Sequence, residues 1–129
     1  MRPAERMEKK ASELGRPTGA GGLLIERGGL IVYIDPEGPC EGLPKADIVC
    51  LSAVDPRRVA EDGVRAVATA TTIVAGLPPC VSRFRLNQLP LLHGQSRQAL
   101  GLELFLQGDD GTTVNWRLRW PDIDVLHPA

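Results

Sequence analysis

The stretch LLIERGGLIVYIDP, residues 23–36, limits the possible folds more than any other part of the chain. Two nearly continuous apolar runs flank Arg27-Gly28-Gly29. A glycine pair between such runs predicts a β-hairpin, because glycine takes the positive φ that a tight turn demands. Runs with so few polar interruptions predict strands covered on both faces. Aromatic residues make up only 4% of the 129 residues, so Leu, Val, Ile and Ala must supply that cover. A chain of this length fits one compact domain.

The next stretch has the marks of a βαβ unit. Residues 47–52, DIVCLS, predict a buried strand. Asp55 is a good helix N-cap and Pro56 a good first helical residue, since proline's missing N–H costs nothing there. Val59, Ala60, Val64 and Val67 then line one helical face, and TTIVAG (71–76) is the returning strand. Such crossovers are right-handed. After the breaker LPPC the chain reads as β-structure. In RFRLNQLPLL, Pro90 marks an edge or a bulge. Leu102, Leu104 and Leu106 alternate with Glu103, Phe105 and Gln107, GDDG supplies a turn, and Val114, Trp116, Leu118 and Trp120 alternate with Asn115, Arg117 and Arg119. Alternation sends Trp116 and Leu118 into a core and the two arginines to a wetter face. At the other end, Ala4, Met7, Ala11 and Leu14 recur at helical steps before Gly15. Residues 1–16 are therefore expected to form an amphipathic helix ahead of one domain over 17–129.

Charge and cysteine usage exclude several classes. A net charge of −1 argues against binding nucleic acid through phosphates. The five Lys/Arg against three Glu in residues 1–16 read as a solvated helix face. No apolar run is long enough to cross a bilayer, and the N-terminus is too charged for a signal peptide. Cys40, Cys50 and Cys80 form no CxxC pair; we expect reduced, structural thiols and a cytoplasmic setting.

In their order, these pieces resemble the metallo-β-lactamase fold superfamily, most closely its lactonase-like branch of small hydrolases. The hairpin GGLLIERGGLIVYIDP carries that family's Asp-Pro at Asp35-Pro36, and ADIVCLS matches the strand that leads into its metal motif. LPLLHG, then LGLELFLQGDDGTTV, then PDIDVLHP follow in the family's order, so the resemblance covers about residues 20 to 128. It implies an α+β fold: a half or truncated αββα sandwich with a mixed β-sheet and helices on one face.

The departures fall where the family's chemistry should be. The four ligand positions of the motif His-x-His-x-Asp-His are occupied here by Ala53, Asp55, Arg57 and Arg58. A catalytic zinc wants about three protein ligands and an open position. Alanine has no lone pair to offer, and two arginines put positive charge where a dication would sit. The family's bridging aspartate has no clear match: VNWRLRW occupies its place, with Arg117 and Arg119 instead of an acid. We therefore expect a vestigial cleft at Asp35, Ser52, Ala53, Asp55, Arg57, Arg58 and His93, with no metal. Asp35, Asp55 and His93, with His127 nearby, are the candidate donors for a relocated site, but none has the local spacing of a zinc site. Their simpler roles are a turn cap for Asp35, a helix cap for Asp55 and a loop position for His93. Ser52 lacks the G-x-S-x-G elbow of a nucleophile. Arg57 and Arg58 in a first helical turn suit a small anion, and their simpler role is in ordinary surface salt bridges.

The expected function is that of a catalytically inactive, metal-free homologue serving as a binding or structural module, with no cofactor. The alternative is a metal-dependent hydrolase, zinc its expected ion, acting on a small ester, lactone or phosphoester through a non-standard ligand set. The resemblance runs out after the first half of the αββα sandwich, which leaves one sheet face needing cover. A homodimer through that open face is the expected arrangement. A monomer that folds its C-terminal hairpin over the sheet is the rival.

Overall fold

The computed structural model describes residues 6–18, 22–109 and 111–128. Its first element departs from expectation. Met7–Lys10 is a strand, β1, and among the described residues of this segment helix is confined to one turn, α1 (Ala11–Leu14). Of the expected helical stripe, Ala11 is buried and Met7 is exposed, while Ala4 lies outside the described residues. A stripe of Ala, Met and Leu offers a helix little area to bury. A sheet edge offers the same backbone a ladder of hydrogen bonds, and β1 takes it.

β2 (Arg16–Pro17) leads to the predicted hairpin of β3 (Leu23–Arg27) and β4 (Leu30–Ile34). Arg27 pairs with Leu30, and Gly28 and Gly29 turn the chain at φ 60° and 79°. β5 (Ile48–Cys50), α2 (Glu61–Val67), β6 (Ile73–Gly76), α3 (Pro78–Val81) and β7 (Asn87–Pro90) follow. β2 to β7 form one sheet in chain order, with β4 to β7 parallel. Pro90 sits in the edge strand, where its missing N–H breaks no ladder.

The expected long helix after Asp55 is divided. Pro56–Arg58 is a single 3-10 turn, Val59 returns to extended backbone, and α2 starts afresh at Glu61. The break re-aims the chain so that Gly63 can lie on the Pro36 carbonyl, where a Cβ would collide with that oxygen. Val64 and Val67 are buried as the helical pattern requires, whereas Val59 and Ala60 are only partly covered.

The remaining strands build a second sheet. β8 (Ser96–Ala99), β9 (Leu102–Asp109), β10 (Val114–Arg119) and β11 (Ile123–His127) join β1 in the order β1-β11-β10-β9-β8. β8 was not legible as a strand, because SRQA has no apolar alternation and lies at an edge. Asp110 of the β9–β10 turn is outside the described residues. Leu102, Leu104, Leu106, Val114, Trp116 and Leu118 are fully buried and share one core with β3 to β6. Right-handed crossovers in a sheet that grows one strand at a time place their helices on one face. The other face meets the second sheet.

That second sheet corrects the expectation of an open apolar face. The chain covers its own first sheet, as in the rival monomeric arrangement. The outward face of the covering sheet is charged instead: Arg117 reaches Asp124 at 3.0 Å and Arg119 reaches Glu103 at 3.0 Å. Among the described residues the exposed large hydrophobics are Met7, Leu92 and Leu100, in β1 and in two turns. The apolar face on which a dimer was expected to form is thus filled from within the chain.

The three thiols are buried and unpaired in disulfides. Burial pushes all three upward from the ordinary thiol value, Cys50 the furthest.

Trp116 ties the sheets together: its indole is fully buried and its Nε1 donates to the Leu51 carbonyl at 3.1 Å. Trp116→Ala should cost about 3–5 kcal/mol, the usual cost of emptying a buried aromatic site. Urea unfolding measures it; a cost under about 1 kcal/mol would contradict this packing.

Candidate functional site

The C-terminal ends of β4 and β5 and the start of β10 meet at one place. Val114 N donates to the Ser52 carbonyl at 2.7 Å and Val54 N to the Thr112 carbonyl at 3.2 Å. Ala53 forms a bridge with Thr113. These contacts stitch the strand-to-helix junction of the first sheet onto the turn that opens β10. Beside the seam lies a cleft of ≈ 350 Å³ lined by Asp35, Glu37, Arg58, Thr112 and Thr113, with Leu51, Ala53, Val59 and Val64 as its apolar wall.

Asp35 closes β4 at φ 49°, a left-handed conformation that Asp tolerates better than most residues. The turn brings its Oδ1 to the Ser52 amide, which donates at 2.7 Å. Burial raises the Asp35 carboxyl above its ordinary range; the Ser52 amide and the positive form of His127 pull it back in part. His127 belongs to the same neighbourhood by register. It pairs with Trp116 across β10 and β11, and directly opposed residues point to the same face. Trp116 points inward to Leu51, so His127 faces the space between the sheets. Burial lowers its imidazole below the ordinary value, against the pull of Asp35. Ser52 Oγ and His127 Nδ1 are both buried without a hydrogen-bond partner.

The expected site residues divide into two groups. Asp35, Ala53 and Arg58 line the cleft, and Ser52 lies buried behind it. Asp55 and Arg57 are turned toward each other. Asp55 Oδ1 accepts from Arg57 N at 2.9 Å, and the guanidinium of Arg57 spans both carboxylate oxygens at 2.9–3.2 Å. That grip, with the cap hydrogen bond, holds the Asp55 carboxyl below the usual range. His93 sits exposed in the turn after β7 and is not among the residues lining the cleft. No group of three or more His, Cys, Asp or Glu gathers in metal-binding geometry among the described residues.

A metal centre therefore does not fit the junction. Ala53 has no side-chain donor, both Asp55 oxygens are engaged, and Arg57 and Arg58 are cations. Sequence reasoning missed Glu37, Thr112 and Thr113 as cleft residues and touched on His127 only in passing. Inward alternation at Trp116 was readable, but the register that sets His127 opposite it was not.

No protein-family model matches the chain, and no curated relative matches it. Solved structures do. One is the crystal structure of a putative metal-dependent hydrolase from Parabacteroides distasonis ATCC 8503, at TM-score 0.68 and 14% identity. The match covers 81% of this chain and 55% of that one, so the chain spans about half the length of that structure. At this identity the likeness is one of fold.

The two shifted groups have opposite pH signatures. An acid whose folded pKa is raised binds more protons folded than unfolded, so Asp35's contribution is complete below the ordinary Asp value and is lost as pH rises through its folded pKa. His127 is the reverse: its contribution is complete above the ordinary His value and is lost as pH falls through its depressed folded pKa. Asp35→Asn keeps an oxygen for the Ser52 amide, and should flatten the loss of stability that accompanies rising pH above the ordinary Asp range. Denaturant midpoints taken across pH 4 to 8 (about four units, spanning both ordinary values) measure this. An unchanged pH slope would contradict it.

Proposed function

We propose that the chain is a non-hydrolytic, metal-free relative of the metal-dependent hydrolase fold, and that its cleft binds a small anion at Arg58. The observation that carries this reading is the fate of the junction residues 53–58. A hydrolytic metal centre needs about three protein donors and an open position to activate water. At this junction the one carboxylate, Asp55, is committed to capping and to Arg57. Arg58 has no carboxylate partner among the described residues and opens onto the cleft. A guanidinium in a partly apolar hollow is a good anion receptor, because it cannot be deprotonated and presents a fork of donors.

A second reading keeps the hydrolytic chemistry with relocated donors. The approach of Asp35 and His127 favours it, as does the description of the structural neighbour. Two donors and a serine hydroxyl still fall short of the usual set.

Metal analysis of protein purified without chelator should find no stoichiometric zinc, manganese or iron. Nitrophenyl esters, a simple lactone and a phosphodiester should remain intact when those metals are added. Stoichiometric metal that is lost in His127→Ala, or metal-dependent turnover lost in Asp35→Asn, would overturn the proposal in favour of the second reading.

A further inference from the structure

We infer that the cleft takes a zwitterion, a small α-amino acid, with its carboxylate on Arg58 and its ammonium at Asp35 and Glu37. The inference rests on the cleft's being a binding site rather than a metal centre. It adds the class of ligand.

The argument starts from charges that share a hollow without touching. Arg58, Asp35 and Glu37 line the same cleft, yet no ion pair within 4.0 Å joins Arg58 to either acid. Arg58 shares this with Arg85 and Arg97, for which no ion pair forms among the described residues, whereas two other arginines close on acids. Arg57 is closed on Asp55 at 2.9 Å, and Arg119 on Glu103 at 3.0 Å. Inside the cleft the opposite charges are held apart, because their positions are set by different elements. Asp35 is fixed at the end of β4 by its backbone turn and by the Ser52 amide, while Arg58 ends the 3-10 turn. Oδ1 of Asp35 is taken by that amide.

A simple anion at Arg58 would share the hollow with two acids, and a simple amine would share it with a guanidinium. A molecule carrying both charges meets a complementary group at each end. Leu51, Val59 and Val64 give the cleft an aliphatic wall, and Thr112 and Thr113 line it as well. The volume of ≈ 350 Å³ is at the small end of ligand clefts and has room for a molecule of amino-acid size.

Isothermal titration of the full chain with L-alanine, L-valine and L-leucine tests this. 3-Methylbutanoate and 2-methylpropylamine serve as probes carrying one charge only, at matched ionic strength. The inference expects at least one amino acid to bind about tenfold or more tighter than either single-charge probe, the usual scale for losing a charged hydrogen bond. Arg58→Gln and Glu37→Gln, both at solvent-accessible positions, should each weaken that binding while far-UV circular dichroism stays unchanged. Asp35→Asn, which retains an acceptor for Ser52, should do the same. If 3-methylbutanoate binds as tightly as the amino acids and depends on Arg58, the zwitterion is overturned and the anion-binding reading stands. If no probe binds, both are overturned. Amino-acid binding that is indifferent to Arg58→Gln places the ligand elsewhere and overturns the inference.

Discussion

The structure depends on the seam between the end of β5 and the start of β10. Among the hydrogen bonds that cross it are Val114 N to the Ser52 carbonyl, Val54 N to the Thr112 carbonyl, and Trp116 Nε1 to the Leu51 carbonyl. The Leu51 amide is the last to pair within the first sheet, on the Ala75 carbonyl, so the Leu51 and Ser52 carbonyls and the Val54 amide need partners from outside it. A buried backbone group without a partner is costly, and here the second sheet supplies the partner. The same contacts align the two apolar faces. They also place His127 between the sheets through its pairing with Trp116, and leave the cleft open beside Thr112 and Thr113. Core, site and sheet packing thus share one origin.

That seam also fixes the backbone of the junction beside the cleft: Ala53 is held in a bridge to Thr113. Asp55 caps a 3-10 turn only three residues long, whose exposed amides need an acceptor, and Arg57 folds back to neutralise it. The remaining cation, Arg58, lines the cleft together with Asp35 and Glu37. Ionised groups that do not meet keep their hydration until something displaces it. For this reason the geometry is more readily read as a receptor than as a closed ion-pair network.

Much of this was legible in the residues themselves, and the exceptions share a cause. The Gly28-Gly29 turn, the inward positions of Trp116 and Leu118, the edge placement of Pro90 and the cap at Asp55 all follow from local chemistry: φ, alternation, a missing N–H, a carboxylate before a turn. They appear in the fold where that chemistry puts them. What failed depended on distant partners. Residues 7–10 are strand because β11 offers an edge more than a hundred positions away. The helix after Asp55 breaks because Gly63 must approach Pro36. β8, polar throughout, is a strand because β9 pairs with it. In the site, Asp35, Ala53 and Arg58 could be nominated from sequence, whereas Glu37, Thr112, Thr113 and the inward turn of His127 required the register of two sheets.

The same distinction governs the outer face of the second sheet. In LELFLQ and VNWRLR one residue in two had to face away from the core, and sequence alone could not say toward what. On that face Asp124, only 6% exposed, lies between Arg117 and Arg119, and Arg119 also holds Glu103 and rests over the Phe105 ring. A carboxylate so deeply covered requires pairing, and two guanidinium groups provide it. Both arginines keep a buried Nε outside ordinary hydrogen-bond geometry, as does one oxygen of Asp124, so the network is tight without being fully satisfied. Such a face is held by charge. Arg117 and Arg119, which stand where an acidic metal ligand was sought, thus have a structural role: they finish the covering sheet as a polar surface, and the apolar side of that sheet is spent on closing the core.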